Sequence, residues 1–122
     1  MKLSPYLVVN DVQEAMDFYQ SIFGGKVIPL NEHQGKLLHA ELKIQEDIVL
    51  HLSDNYGKSI SNEGTQILLT FDNKETQQRI YNALSDKGNP HMPLNRTFFN
   101  AIHGQVTDRY RVNWLINCFV EE

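Results

Sequence analysis

The chain has 122 residues, 41% hydrophobic and 21% charged, with a formal net charge of −4 and one cysteine. That length suits a single domain that buries its own core without staples. Scattered Lys and Arg exclude the basic face that nucleic acid requires, no apolar run approaches the roughly 18 residues of a membrane span, and a lone cysteine excludes an internal disulfide.

Met1 to Pro5 lacks the apolar region of a signal peptide, so a cytoplasmic protein is expected. Leu3 to Val9 alternates, with Leu7 and Val9 on one face and Tyr6 and Val8 on the other, which predicts a strand. Asp11 is an N-cap candidate and Glu14 stands at the reciprocal capping-box position. Val12, Ala15, Phe18, Tyr19, Ile22 and Phe23 then form one helical stripe. Gly24-Gly25 ends the helix. Lys26 to Leu30 reads as a short strand and Asn31 to Lys36 as a polar loop holding a solvated His33. Leu37 to Ile44 and Ile48 to Ser53 form a hairpin around Gln45-Glu46-Asp47. Leu38, Ala40, Leu42 and Ile44 share one face with Ile48, Leu50 and Leu52. Leu37, His39, Glu41 and Lys43 share the other with Val49, His51 and Ser53. Asp54 to Gly64 is polar and aperiodic, a natural linker or flap.

The second half follows the same plan. Ile67, Leu69 and Phe71 face one way on a strand, with Gln66, Leu68 and Thr70 opposite. Asp72 is expected to cap a helix whose stripe is Thr76, Ile80, Ala83 and Leu84, and Asp86-Lys87-Gly88 to end it. Strands are expected near His91–Leu94, Phe98–Val106 and Val112–Val120, with His91 at a strand edge. Trp114 should face the helix layer, and Cys118 is expected to be a buried, inert thiol. The capping segments Asp11-Val12-Gln13-Glu14 and Asp72-Asn73-Lys74-Glu75 are offset by 72 − 11 = 61 residues, half the chain. The histidine segments around His39 and His103 are offset by 103 − 39 = 64. A long period with two copies is a duplicated module, not a solenoid. Module one is expected over about 1–54, a linker over about 55–64 and module two over about 65–122 of one domain. Each reads strand, helix, strand, strand, strand, an α+β layer with the helix on one sheet face.

Several segments together resemble the vicinal oxygen chelate superfamily (glyoxalases, bleomycin-resistance proteins and extradiol dioxygenases), and within it the PhnB-like group. They are Leu3-Ser4-Pro5-Tyr6-Leu7, Glu14-Ala15 with Phe18-Tyr19, Phe23-Gly24-Gly25, His39-Ala40-Glu41-Leu42, Leu52-Ser53-Asp54, Met92-Pro93-Leu94, Thr97-Phe98, Thr107-Asp108, and Trp114 with Ile116-Asn117. The resemblance implies two tandem βαβββ modules whose curled mixed sheets surround a cavity, usually in a homodimer. It also implies four inward metal positions, which fall on Ser4, His51, Gln66 and Leu115. Only His51 is a good ligand there and Leu115 cannot ligate, so no inherited metal site is expected. The chain departs from the PhnB-like pattern at Phe99-Asn100, at His103 and at Tyr110-Arg111. A glycine usually closes that last turn, and Arg111 disfavours the positive φ it would adopt, so a different turn shape is expected. No glycine-rich loop between a strand and a helix offers a nucleotide cradle, and no cofactor is expected.

His39, Glu41 and His51 are the candidate catalytic residues. Period two puts His39 and Glu41 on one face, and the hairpin brings Glu41 nearly opposite His51. A histidine beside a carboxylate can move a proton near neutral pH, or the three could hold a metal at a shifted site. The same residues also suit a hydrogen-bonded polar face without chemistry. Tyr6, Gln66, Phe99 and His103 are candidate ligand-binding residues, the aromatics suiting a planar or apolar ligand, or simple packing. Three functions fit these residues: a metal-independent small-molecule-binding protein, a lyase, isomerase or dioxygenase-like enzyme using His39, Glu41 and His51, and a dimeric interaction protein.

Overall fold

The structure is a computed structural model that describes residues 1–120. The chain divides into two compact units, Met1–Ile60 and Ser61–Glu122. The first contains β1 (Tyr6–Val9), α1 (Val12–Phe23), β2 (Lys26–His33), β3 (Lys36–Gln45) and β4 (Ile48–Asp54). The second contains β5 (Ile67–Phe71), α2 (Lys74–Ser85), β6 (Asn89–Arg96), β7 (Ala101–Thr107) and β8 (Asn113–Phe119). Each unit is the expected βαβββ module with a mixed sheet. The strand orders are β1-β4-β3-β2 and β5-β8-β7-β6. The first and last strands of each module pair in parallel, and the other pairs are antiparallel.

In the first unit the Asp11 carboxylate accepts from the Glu14 N–H and fixes the start of α1. Gly24 closes the helix with a φ of 72° while its N–H donates to the Gln20 carbonyl. Gly25 is required for a second reason. A Cβ there would lie 2.5 Å from the Lys43 carbonyl oxygen, at a φ of 95°, so only glycine lets the chain pass so close to β3. The helix packs on β3 and β4. Val12, Ala15, Met16 and Tyr19 are fully buried, with Ala40, Leu42 and Leu52 of the sheet beneath them. Burying each large aliphatic side chain contributes about 2 kcal/mol. Met16 joins the stripe, while Phe18 and Phe23 are only half-buried. The strand β2 runs through to His33, where a polar loop was expected. Asn31, Glu32 and His33 pair with β3 across two register irregularities that bend this edge strand. After β4 the chain is tied in a tight turn: Tyr56 N–H donates to Asp54 Oδ2 at 2.8 Å and Lys58 N–H to the Asn55 carbonyl at 2.9 Å.

In the second unit the helix begins one residue later than its sequence suggests. Asn73, not Asp72, is the N-cap, its side-chain oxygen accepting from the Thr76 N–H at 2.9 Å. This shifts the buried stripe to Gln77, Ile80, Tyr81 and Leu84, where Thr76 and Ala83 had been expected beside Ile80 and Leu84. The module offset becomes 73 − 11 = 62 at the caps. Tyr19 then corresponds to Tyr81 and Ala15 to Gln77. Gln77 is 1% exposed. Its amide donates to the Ile102 carbonyl at 2.8 Å and the Ile116 carbonyl at 3.4 Å, pinning α2 to β7 and β8. Trp114 is buried on the helix side, as its register demands, and Cys118 is a buried free thiol.

The turn from β7 to β8 takes the positive φ that the arginine was expected to prevent: Arg111 has φ 67°. The reason is the buried Asp108 carboxylate. It accepts from the Tyr110 N–H at 2.8 Å, the Val112 N–H at 3.1 Å and the Trp114 indole N–H at 2.9 Å. The Arg111 N–H donates to the Asp108 carbonyl at 2.9 Å. Together these bonds outweigh the cost of about 1–2 kcal/mol for a left-handed non-glycine residue.

Candidate functional site

The faces turned away from the helices carry the candidate residues. In the first unit, period two and the antiparallel register place Glu41 directly opposite His51, with His39 opposite Ser53 and thus diagonal to His51. The parallel pairing sets Tyr6 beside His51 on its other flank. Three strands therefore bring Tyr6, His39, Glu41 and His51 together on one face.

The side chains form a line. His39 Nε2 lies 3.0 Å from His51 Nδ1, and His51 Nε2 lies 3.5 Å from Glu41 Oε1. The side chains of His51 and Glu41 are 21% and 25% exposed, sheltered enough to strengthen their attraction yet reachable by a ligand. The Tyr6 ring stacks on His51 with centroids 6.0 Å apart and planes 15° apart, and meets His39 at 5.4 Å. Tyr6 itself is 56% exposed, so one aromatic edge is left for another planar group.

In the second unit His103 lies opposite Asn117 on β8. Its Nδ1 is 3.1 Å from Asn117 Oδ1, and its Nε2 is 3.3 Å from Gln105 Nε2. These contacts suit a neutral imidazole that donates from Nδ1 to the Asn117 oxygen and accepts the Gln105 amide N–H at Nε2. Phe99 meets His103 edge-on at 6.2 Å. Gln66 is exposed and precedes the first ladder pair of β5, away from this cluster. Asn117 and Gln105 were not among the candidates. Both share the His103 face by period two, so the register supplies the missing signal.

The four inherited metal positions do not fit a metal centre. Leu115 pairs with Leu68 and Gln105 and offers no donor. Ser4 is a weak ligand. His51 spends one ring nitrogen on His39 and the other on Glu41. The shifted alternative fails on geometry, because His39 and Glu41 contact opposite nitrogens of one ring and their donor atoms do not converge on a point. Among the described residues no group of three or more His, Cys, Asp or Glu is placed to hold a metal ion. No described helix is long and apolar enough to cross a membrane.

Tandem βαβββ modules with parallel outer pairing define the glyoxalase-like class of α+β proteins. The chain belongs to the Glyoxalase/Bleomycin resistance protein/Dioxygenase superfamily, whose family model matches residues 3–116. Among solved structures it is similar to protein PA1353 from Pseudomonas aeruginosa, with a TM-score of 0.83, 32% identity and 99% of each chain covered. The PhnB protein from Bacillus cereus shares the fold at a TM-score of 0.75 and 23% identity, covering 97% of this chain and 99% of that one. TioX from Micromonospora sp. ML1 does so at 0.72 and 17%, covering 98% and 99%. A comparison with curated protein sequences returned no match.

Proposed function

We propose that this chain binds a small planar organic molecule, without a metal ion, on the face of the first sheet turned away from α1. The observation that carries this reading is the exposed Tyr6 ring stacked beside a sheltered line of polar groups, His39, His51 and Glu41. An aromatic surface next to a few convergent polar groups is the usual composition of a ligand site. Superfamily membership adds a relation to bleomycin-resistance proteins. Binding of a panel of planar heteroaromatic compounds, followed by ligand-observed NMR, tests it. Wild type should bind at least one, and Tyr6→Ala should weaken that binding about tenfold, the loss of a stacked aromatic contact. Metal content of protein purified without an affinity tag tests the other half. Stoichiometric zinc, nickel, manganese or iron that disappears in His51→Ala would sink the metal-free reading.

A second reading is favoured by the continuous line itself. Glu41, His51 and His39 form a relay of the kind used in general acid–base catalysis, which suits a lyase or isomerase that moves a proton. Turnover of an isomerisable substrate that survives both His39→Gln and Glu41→Gln would remove this reading.

We further propose self-association into a homodimer through the second unit. Phe98 is 97% exposed and Phe119 63% exposed. They lie at one end of its sheet, since Phe119 pairs with Ala101 just after the Phe98-Phe99 turn. Exposed aromatics concentrated in one place mark contact surfaces. Sedimentation equilibrium should give a dimer in wild type and a weaker one in Phe98→Ser; a monomer at every concentration rules the proposal out.

A further inference from the structure

We infer that the proton order in the first-sheet cluster selects a weakly acidic planar ligand, a phenol or enol, and holds it as its anion with the proton taken up at His39. The inference rests on the binding reading above and adds the chemical class of the ligand.

The proton order follows by elimination. A neutral imidazole has one N–H donor and one acceptor nitrogen. His51 Nε2 faces the Glu41 carboxylate at 3.5 Å. An ionised carboxylate only accepts, so across this ion-pair distance its charge favours the proton of a neutral His51 on Nε2. Its Nδ1 is then an acceptor, and the 3.0 Å contact with His39 Nε2 requires that nitrogen to donate. The His39 proton is thereby fixed on Nε2, and His39 Nδ1 is the one basic nitrogen left in the line. Both imidazoles are directed the same way, toward the carboxylate.

A proton arriving at His39 Nδ1 makes an imidazolium. Its Nε2 proton can pass to His51 Nδ1, which moves the positive charge next to Glu41, where it is paired. The ligand's O–H bond breaks, the N–H bond at His39 forms, and no electrons change hands. The ligand is left as an oxyanion accepting the new Nδ1–H of His39, with the positive charge held on His51 beside Glu41. An acidic O–H on a planar ring matches both parts of the site, since the ring has Tyr6 to stack on. The other register neighbours introduce no competing charge. Asn31 and Ser53 flank His39 and Ile28 flanks Glu41, while Lys43 is paired with Glu46 at 3.2 Å. Glu41 is in this scheme a positioning residue that acts through His51.

The test uses 4-nitrophenol, whose phenolate absorbs at longer wavelength than its phenol, and 4-nitroanisole, which keeps the ring but has no acidic proton. Wild type should bind nitrophenol as phenolate, lowering its apparent pKa by about one unit or more, a tenfold gain in the ionised form. Glu41→Gln and His39→Gln should bind it as phenol, with circular dichroism spectra unchanged. Nitrophenol bound as phenol by wild type, or nitroanisole bound more tightly than nitrophenol, overturns the acid-ligand inference and leaves the binding reading standing. An equal phenolate band in Glu41→Gln overturns the relay. Failure of both compounds to bind overturns the inference and removes simple nitroaryl rings from the binding reading, which its own panel then decides.

Discussion

Asp108 shows how one buried carboxylate decides a local shape. Three N–H groups point at it, and Tyr110, Val112 and Trp114 are all buried. Asp108→Ala leaves those donors without their acceptor, at about 1–3 kcal/mol for each group that water cannot reach. We expect a net loss of about 2–4 kcal/mol by urea unfolding, with the slope unchanged; a loss under about 0.5 kcal/mol would mean that the turn holds itself. Tyr81 gives a pH prediction. Its buried phenol donates to the Met92 carbonyl at 2.8 Å, and desolvation raises its pKa above the ordinary value of 10.0. The folded state therefore favours the neutral phenol. That contribution is fully present below pH 10 and is lost as pH rises through the raised folded value. Tyr81→Phe should cost about 1 kcal/mol at neutral pH and should flatten the decline in stability above pH 10. An unchanged decline would remove Tyr81 as its source.

At the scale of elements, the two helices are read with unequal success. The first announces itself, because Asp11, although Asn10 precedes it, stands directly ahead of Val12 at the start of the apolar stripe and has Glu14 at the capping-box position. The second offers Asp72 and Asn73 in succession, and local sequence does not choose between them. The sheet does. Setting Leu68 beside Leu115 fixes how far β5 runs before the chain must turn, and Asn73 is the residue then in extended conformation at the helix start. Asn73→Ala should cost about 1 kcal/mol, while Asp72→Ala should change stability by less than about 0.5 kcal/mol. The reverse order in chemical denaturation would restore Asp72 as the cap. The same shift explains why Gln77 was missed. A glutamine in a helical pattern reads as surface, and only the carbonyls of Ile102 and Ile116 above it make burial favourable.

For the whole molecule, the ligand chemistry bears on stability directly. A metal bound only by the folded state raises the melting temperature by mass action. With no convergent donor set among the described residues, zinc, nickel and manganese should leave the melting temperature unchanged. A concentration-dependent rise abolished by His51→Ala would reverse that expectation. The tandem βαβββ plan, the polar face shared by His39, Glu41 and His51 and the burial of Trp114 follow from hydrophobic period alone. Side-chain alternation is local and strict, so the sequence by itself settles which face each residue takes. It does not settle what each side chain touches. That His51 bridges Glu41 to His39, that Asn117 and Gln105 hold His103, and that Arg111 accepts a left-handed backbone depend on register and on distances across strands. Those are fixed only when the strands pair and the helices dock, because a hydrogen bond needs its partner within about 3 Å and no spacing along one strand specifies that.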